Sequence, residues 1–316
     1  MRLTRLAGLA LALILLLTGC SPMVEEENSE SLSVYATFYP IYALAEMVIG
    51  GVPDVELHCL VQPQDGCLRS YPMSDWDLSL LAASADVVIA GGHGLESFEG
   101  TLEALSDSAS ILLIEALSGL TLFQEDEETD EESTHFDGAN PHLYMSVDGA
   151  MSIVENIETA MALLDADHAE DYRSNAAAAL SELEALKTEI QQETADCAGQ
   201  SAAVLNEALV YAAQDYGLEI ATTIVRESGE RLYDSQFEQC IEMLEQGGAK
   251  VVLIERQAPK PFVDELEAAG FAVAQLDVLS TLGETDGAQG YFDALRENAR
   301  AVAEAFLRAE GEEVEG

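Results

Sequence analysis

Short apolar runs rich in β-branched residues alternate with segments of helical periodicity over two stretches of the chain. In the first stretch the predicted strands are 32–37, 55–60, 86–90 and 110–115, and the predicted helices between them are 41–49, 75–83 and 95–104. Ser74, with Asp77 three residues later, gives the second helix a capping-box start. This alternation is typical of an α/β lobe with a parallel sheet.

The same alternation returns in the second stretch. Its predicted strands are 202–205, 219–224, 251–255 and 272–276, and its predicted helices are 207–216, 235–246, 260–269 and 291–308. Gly217 and Gly270 stand where helix C-caps favour glycine. A second α/β lobe therefore follows the first.

One long helix is predicted between the two stretches. Residues 150–198 contain neither Gly nor Pro, and apolar residues recur at helical spacing from Tyr172 to Ile190. Asp167 and Glu170 are expected to cap a helix that ends near Thr194 and is about 40 Å long at 1.5 Å per residue. We predict an α/β fold with two lobes of mostly parallel sheet. The lobes are 32–147 and 199–316, and the helical connector is 148–198.

The N-terminal residues have the pattern of an export signal. Arg2 and Arg5 precede an apolar run over 6–17, and Leu17-Thr18-Gly19-Cys20 forms a small-residue cleavage site. The run is too short to span a membrane. We predict a bacterial lipoprotein signal peptide over 1–20, an acylated Cys20 and a flexible tether over 21–31. The protein is then expected at the extracytoplasmic face of the cell membrane, held by its lipid.

The chain is strongly acidic. Lys and Arg number 13 against 59 Asp and Glu, so the net charge is −46. Such a surface repels nucleic acid and anionic lipid headgroups, which excludes polyanions as expected partners. Seven of the eight residues in 125–132 are acidic, and we expect a solvated loop there. A role in collecting cations is the alternative for this loop.

Four cysteines remain when Cys20 is set aside. An even number in an exported chain favours disulfides, and local pairing of Cys59 with Cys67 and of Cys197 with Cys240 is the simplest of three connectivities. A thiolate metal site is the alternative, although the spacings contain no CxxC element.

Motifs of catalysis are missing from the sequence. No G-x-S-x-G elbow or HExxH pair occurs, and Ser97 stands where a dinucleotide fingerprint needs its third glycine. We therefore expect no enzyme. The remaining enzymatic alternative is a metal-assisted hydrolase that uses Glu207 or Glu255 as a base beside His142.

Several polar residues fall at the carboxyl ends of predicted strands, where parallel α/β sheets bind ligands. Arg69, His93, Asn206 and Asp277 each follow a strand, and His142 lies on the loop that enters the connector. Because these residues come from both lobes, we predict a small-ligand site in a cleft between them.

Five motifs, in order and at matching spacing, carry a resemblance to a known family. They are Thr37-Phe38-Tyr39-Pro40, Gly66-Cys67-Leu68-Arg69-Ser70-Tyr71, Asn140-Pro141-His142-Leu143-Tyr144, Asn206-Glu207-Ala208 before Tyr216-Gly217-Leu218, and Leu276-Asp277-Val278-Leu279. The chain resembles the zinc/manganese solute-binding lipoproteins of ABC transporters. The resemblance implies two lobes joined by a rigid helix, a divalent zinc or manganese ion in the cleft, and a membrane permease that receives the ion. It also implies a monomer.

The resemblance places the four metal-ligand positions of the family at Arg69, His142, Asn206 and Asp277. His142 and Asp277 keep ligand chemistry. Arg69 has no lone pair and repels a dication, and Asn206 offers only a weak amide oxygen. The substitute ligands that the chain could supply are His93, Glu207 and His135.

The altered positions leave two hypotheses. In the first, the chain binds a divalent metal with a changed ligand set. In the second, a protein of the same fold has lost metal binding and serves another small ligand or a protein contact at the cell surface. We expect Arg69 to pair with Asp277 if the family's cleft geometry is kept.

Overall fold

The computed structural model describes residues 31–63, 71–124, 139–224 and 234–311. Several predictions fall outside these residues: the signal peptide with Cys20, the tether, the acidic stretch 125–132, and the side chains of Cys67, Arg69 and His135. Every helix in the described ranges is too short or too polar to cross a membrane.

The first lobe is a parallel sheet with helical crossovers. Its elements are β1 (Leu32–Ala36), α1 (Tyr39–Ile49), β2 (Val55–Cys59), α2 (Asp75–Ser84), β3 (Val87–Ala90), α3 (Glu99–Ser108) and β4 (Leu112–Glu115). The strand order is β2-β1-β3-β4, and all pairs are parallel. Both halves of the Ser74–Asp77 capping box form at the start of α2, as predicted.

A short antiparallel pair and two long helices follow. The pair consists of β5 (Phe123–Gln124) and β6 (Ala139–Asn140), and the helices are α4 (Val147–Leu164) and α5 (Ala169–Glu193). At 25 residues, α5 is about 37 Å long, which confirms the long connecting helix.

The second lobe repeats the first. Its elements are β7 (Ser201–Val204), α6 (Leu209–Asp215), β8 (Glu219–Thr223), α7 (Asp234–Gly247), β9 (Val251–Glu255), α8 (Lys260–Ala268), β10 (Ala272–Leu276) and α9 (Gly287–Glu310). The order β10-β9-β7-β8 places the lobe's first strand between its second and third, as in the first lobe. Both sheets are parallel, so the predicted two-lobed α/β architecture is confirmed.

The start of α5 differs from the prediction. Asp167 and Glu170 do not cap it, because its N-cap is His168 and no side chain makes a cap hydrogen bond. Asp165 acts at this corner instead. Its carboxylate accepts from the Tyr172 hydroxyl at 2.9 Å and lies 2.7 Å from His168 Nδ1. The reason is that α4 continues to Leu164, so Asp165 is the residue at the inside of the turn.

The third helix also starts later than expected, at Glu99 rather than at residue 95. The buried Glu96 carboxylate accepts hydrogen bonds from the Thr37 hydroxyl and from the N–H groups of Gly91 and Gly92. Burial raises the pKa of Glu96, and these three donors oppose that shift. The side chain thus ties together the carboxyl ends of β1 and β3, and the intervening residues form a turn.

Two apolar cores lie on opposite faces of the second sheet. Val251 and Leu253 of β9 face a core shared with the first lobe, α4, α5 and α9, whereas Val252 and Ile254 face a smaller core under α7 and α8. The alternation follows from the period-two geometry of a strand.

The predicted disulfides are wrong. Cys197 belongs to the shared core and Cys240 to the smaller one, so the sheet separates them and no bond joins them. Cys59 is a buried thiol whose Sγ donates to the carbonyl of Val61 at 3.4 Å, so it is not bonded to Cys67. Burial raises the pKa of Cys59 to about 12 and that of Cys197 to about 11.

Two glycines offer a matched test of packing. A Cβ at Gly149, in the first turn of α4, would collide with the backbone oxygen and side chain of Leu143, whereas a Cβ at Gly100 in α3 would meet nothing. We expect Gly149→Ala to lower the free energy of unfolding by about 1–3 kcal/mol, the usual cost of overpacking. Gly100→Ala should leave it unchanged or raise it by up to about 1 kcal/mol. Urea denaturation of both variants measures the difference, and equal effects would contradict the close packing at Gly149.

Candidate functional site

The loop that carries His142 is fixed from both lobes. It begins at β6, passes through Pro141 and enters a 3₁₀ turn over Leu143–Met145 before α4. The hydroxyl of Tyr211, on α6, donates to the carbonyl of Asn140 and accepts from the N–H of Phe123, both at 2.7 Å. A second-lobe helix therefore holds the short antiparallel pair in place.

Asn140 determines the tautomer of the neutral His142 ring. Its Nδ2 donates to the carbonyl of Glu207 at 2.9 Å, and its Oδ1 accepts from the His142 backbone N–H at 3.0 Å. These two partners settle the orientation of the amide. The His142 Nδ1, 2.9 Å from the same oxygen, must then carry the hydrogen. In the neutral imidazole, which is the form that ligates metal, Nε2 then holds the lone pair.

Glu207, predicted as a substitute ligand, lies beside His142. Its Oε1 is 3.7 Å from His142 Nδ1, and both side chains are buried. Because this contact is on the Nδ1 side of the ring, the carboxylate reinforces the same tautomer that Asn140 selects. Glu207 thus lies where it can orient the imidazole.

Asn206 follows β7 directly, as predicted, and is 5% exposed. Its Oδ1, the only atom with which it could ligate a metal, accepts the N–H of Ala208 at 3.0 Å. This local bond forms the turn that leads into α6. One of the two lone pairs of the amide oxygen is thereby used by the backbone of its own loop.

Asp277 lies at the end of β10 and is 2% exposed. Its Oδ1 accepts from the N–H of Leu279, and its own backbone N–H donates to Oδ1 of Asn298, both at 2.7 Å. Nδ2 of Asn298 returns a hydrogen bond to the Asp277 carbonyl at 2.9 Å. Asn298 is fully buried on α9, and sequence reasoning missed it. A lone polar residue on the apolar stripe of α9 was the signal that could have identified it.

Arg256, in the turn after β9, places a positive charge beside the Asp277 carboxylate. Its Nη1 is 3.3 Å from Asp277 Oδ2, and its Nη2 is 3.1 Å from Oε2 of Glu297 on α9. The predicted partner, Arg69, lies outside the described residues. Sequence reasoning missed Arg256 because its place beside β10 depends on the strand order β10-β9.

His93 is an exposed residue with a φ of +59° in the turn after β3. Its charge opposes the rise in pKa that burial causes at Glu99, so the two residues lie near each other at the start of α3. The described hydrogen bonds and ion pairs do not bring His93 to His142 or Asp277.

The structure does not gather a complete metal site from the residues it describes. Within 31–63, 71–124, 139–224 and 234–311, no group of three or more His, Cys, Asp or Glu side chains could hold a metal ion. The ligand types at the family's positions, an imidazole and a carboxylate, are ones that zinc and manganese accept.

Helices α1 and α9 join the lobes near Asp277. The Tyr39 hydroxyl donates to the Gly287 carbonyl at 2.8 Å, and the Glu46 carboxylate accepts the N–H of Ala288. The Tyr291 hydroxyl donates to the carbonyl of Tyr144 at 2.6 Å. Burial, followed by several carboxylates including Asp277, raises the pKa of Tyr39. Asp277 of the second lobe is thus within electrostatic reach of the first.

The chain is similar to known metal-binding proteins. The family model described as "ZnuA: Zinc-uptake complex component A periplasmic" matches residues 34–305. The zinc-binding lipoprotein AdcA of Streptococcus pneumoniae is 24% identical over 296 residues, which cover 91% of this chain and 58% of that protein. The high-affinity zinc uptake system protein ZnuA of Bacillus subtilis is 24% identical over 313 residues, which cover 94% of this chain and 95% of that protein. The chain therefore spans less than two thirds of some of its curated relatives.

Solved structures share the fold. The solute-binding protein FpvC of Pseudomonas aeruginosa, in complex with Ni²⁺, superposes with a TM-score of 0.73 at 22% identity, covering 90% of this chain and 99% of that one. The Zn(II)-bound ZnuA-like domain of Streptococcus pneumoniae AdcA gives 0.71 at 22% identity, covering 87% and 98%. At these identities the likeness shows the fold alone.

The joint between α6 and α4 contains a carboxylate whose titration can be tested. Asp215 Oδ2 accepts the N–H of Val147 at 2.6 Å, and burial raises the pKa of Asp215 from 3.8 to about 6 despite that bond. The folded protein then holds this proton more tightly than the unfolded chain. Asp215 consequently destabilises the fold as pH rises from about 4 through 6.

We expect Asp215→Asn, which keeps the acceptor oxygen, to remove that loss. The stability of the variant relative to the parent should grow by up to about 3 kcal/mol between pH 4 and pH 7. Urea denaturation across this range measures it. Asp107→Asn, at an exposed position of α3, is the control, and its stability relative to the parent should not change across this range. A constant difference between Asp215→Asn and the parent would show that Asp215 titrates normally.

Proposed function

We propose that this chain, which belongs to the ZnuA family of periplasmic zinc-uptake components, binds the solute of an ABC transporter. In this proposal it is the extracytoplasmic component of the transporter, and the solute is a divalent metal. The proteins of this family bind the solute of an uptake system and are not enzymes, which confirms the prediction that the chain is no enzyme. We propose zinc or manganese as the cargo, because imidazole and carboxylate ligands accept both.

The observation that carries the proposal is that two neighbouring side chains orient the His142 ring. Asn140 and Glu207 both lie at Nδ1, so the lone pair of the neutral ring is on Nε2, and the ring is buried in a loop held from two lobes. Metal-ligating histidines commonly have this arrangement, in which a second residue fixes the tautomer and raises the basicity of the ligating nitrogen. A histidine retained only for packing does not need two polar partners at one ring nitrogen.

Asp277 is the second proposed ligand. Asn298 fixes its backbone and Leu279 fixes one carboxylate oxygen, so the other oxygen, Oδ2, has a defined position. A carboxylate on a rigid backbone can meet an ion without further ordering, which lowers the entropic cost of binding.

The proposed ligand set is altered at the other two positions. Arg69 cannot ligate a metal, and Asn206 offers only a weak amide oxygen, which already accepts one hydrogen bond at the start of α6. We propose that water completes the coordination of the ion. Fewer protein ligands predict weaker binding than a site with four such ligands would give.

The proposed setting is the outer face of the cell membrane. A signal peptide over 1–20 and a lipid on Cys20 would tether a monomeric binding protein beside its permease, and the tether raises the effective concentration of carrier at the permease. The relative AdcA is itself named a zinc-binding lipoprotein.

Metal binding tests the main proposal. Titration calorimetry of the purified protein with zinc and with manganese should show saturable binding, and His142→Ala should weaken it at least tenfold because Nε2 is lost. His168→Ala, at the corner between α4 and α5, is the matched control and should bind as the parent does.

A second candidate function follows if the parent shows no binding tighter than millimolar. The described residues contain no group of three metal-binding side chains, and this favours a same-fold protein that has lost its metal and binds another small ligand or a surface protein. Metal binding that is saturable but indifferent to His142→Ala would instead place the ion elsewhere in the chain.

Lipid attachment is tested separately. The chain expressed in a bacterial host should incorporate labelled fatty acid and sediment with membranes, and Cys20→Ala should abolish both, since that thiol is the proposed acylation site. Cys59→Ala is the control and should keep the label, because this thiol is buried inside the first lobe. Label on the Cys20→Ala variant would refute the proposed anchor.

A further inference from the structure

Arg256, one of the few positively charged residues of the chain, lies beside the buried carboxylate of the proposed site. The whole chain has 13 Lys and Arg against 59 Asp and Glu. Nevertheless, Arg256 Nη1 lies 3.3 Å from Oδ2 of Asp277, whose side chain is only 3% exposed. A buried carboxylate with no countercharge is costly, and Arg256 supplies that countercharge at Asp277.

The guanidinium is at the atom that an ion would need. Asp277 Oδ1 is directed at the N–H of Leu279, which leaves Oδ2 as the oxygen that can face a ligand. Arg256 is bonded to that oxygen. A dication at Oδ2 and a guanidinium a few ångströms away repel each other, so the two compete for one carboxylate.

The Arg256 side chain can also move away from Asp277 while its backbone stays in place. Its backbone N–H donates to the Leu276 carbonyl at 2.7 Å, which fixes the turn. Its side chain is 46% exposed, and its Nη2 already contacts Glu297 on α9. Rotation about the side-chain bonds can therefore move the guanidinium toward Glu297 and release Oδ2.

We propose that Arg256 is a built-in competitor of the cargo, a positioning residue that neutralises Asp277 when the site is empty and is displaced to Glu297 when the metal binds. The inference rests on the proposed function. Because every bound ion must displace the guanidinium, Arg256 lowers the affinity and favours release of the ion once the site opens. The proposed displacement also explains why Arg256 is half exposed, whereas its partner Asp277 is buried.

Arg256→Gln is the primary test. Calorimetry with zinc, supplemented by competition with a chelating dye, should show at least tenfold tighter binding than the parent. Arg296→Gln is the matched control: it removes the same charge from an arginine on α9 that pairs with Glu189 and Asp293 away from the site. Its affinity should equal that of the parent. Equal affinities for the parent and both variants would overturn the inference.

Two further variants separate competition from a structural role. Arg256→Lys keeps the charge and should retain most of the weakening. The gain from Arg256→Gln should disappear in an Asp277→Asn background, because the competition acts through that carboxylate. A gain that persists without the Asp277 carboxylate would refute the mechanism. Thermal unfolding with and without zinc checks folding, and zinc should stabilise Arg256→Gln more than the parent.

The outcomes distinguish this inference from the proposed function. If the parent binds neither zinc nor manganese but Arg256→Gln binds zinc, the competitor is real and the parent is not a metal carrier. If the parent binds zinc and Arg256→Gln binds equally, the function stands and the inference fails. If neither protein binds zinc or manganese, both fail.

Discussion

The seam between α1 and the start of α9 is the interaction on which the site depends. Tyr39 and Glu46 of α1 bind the backbone at Gly287 and Ala288, and Tyr291 binds the backbone beside the His142 loop. These bonds join α9 of the second lobe to α1 and to the His142 loop, so they tie the two lobes together. Their donors and acceptors lie within a partly buried interface, where an unpaired partner is costly. The seam thereby limits how far the two proposed ligands can separate.

The two proposed ligands are held in different ways. His142 lies on a loop, and its orientation comes from side chains of the first lobe's own motif and of the second lobe. Asp277 lies at a strand end, and its backbone is held by Asn298 through a reciprocal pair of hydrogen bonds. An arginine then provides the countercharge from a neighbouring strand. Hydrogen bonds orient both groups, but Oδ2 of the carboxylate also contacts the charge of Arg256, and this charge is the element that a competing cation can replace.

The three predictions that the structure contradicts share a physical cause. The capping of α5, the start of α3 and the disulfides were judged from residues close in sequence, yet each depends on a contact with another element. Glu96 is directed back to β1 rather than along its helix. Cys197 and Cys240 are plausible partners by spacing, but a sheet lies between their cores. Local patterns carry no information about which face of a sheet a side chain occupies once a crossover intervenes.

Sequence alone determined the elements, the parallel α/β lobes, the long helix and the motif positions of His142 and Asp277. Hydrophobic periodicity and strand-end motifs are local properties, so one chain suffices to identify them. Only the tertiary structure decided which groups meet at those positions. Arg256 reaches Asp277 because β9 and β10 are neighbours, and Asn298 reaches it because α9 packs on that sheet edge. These are long-range contacts, set by how the elements pack, and no pattern of spacing along the chain encodes them.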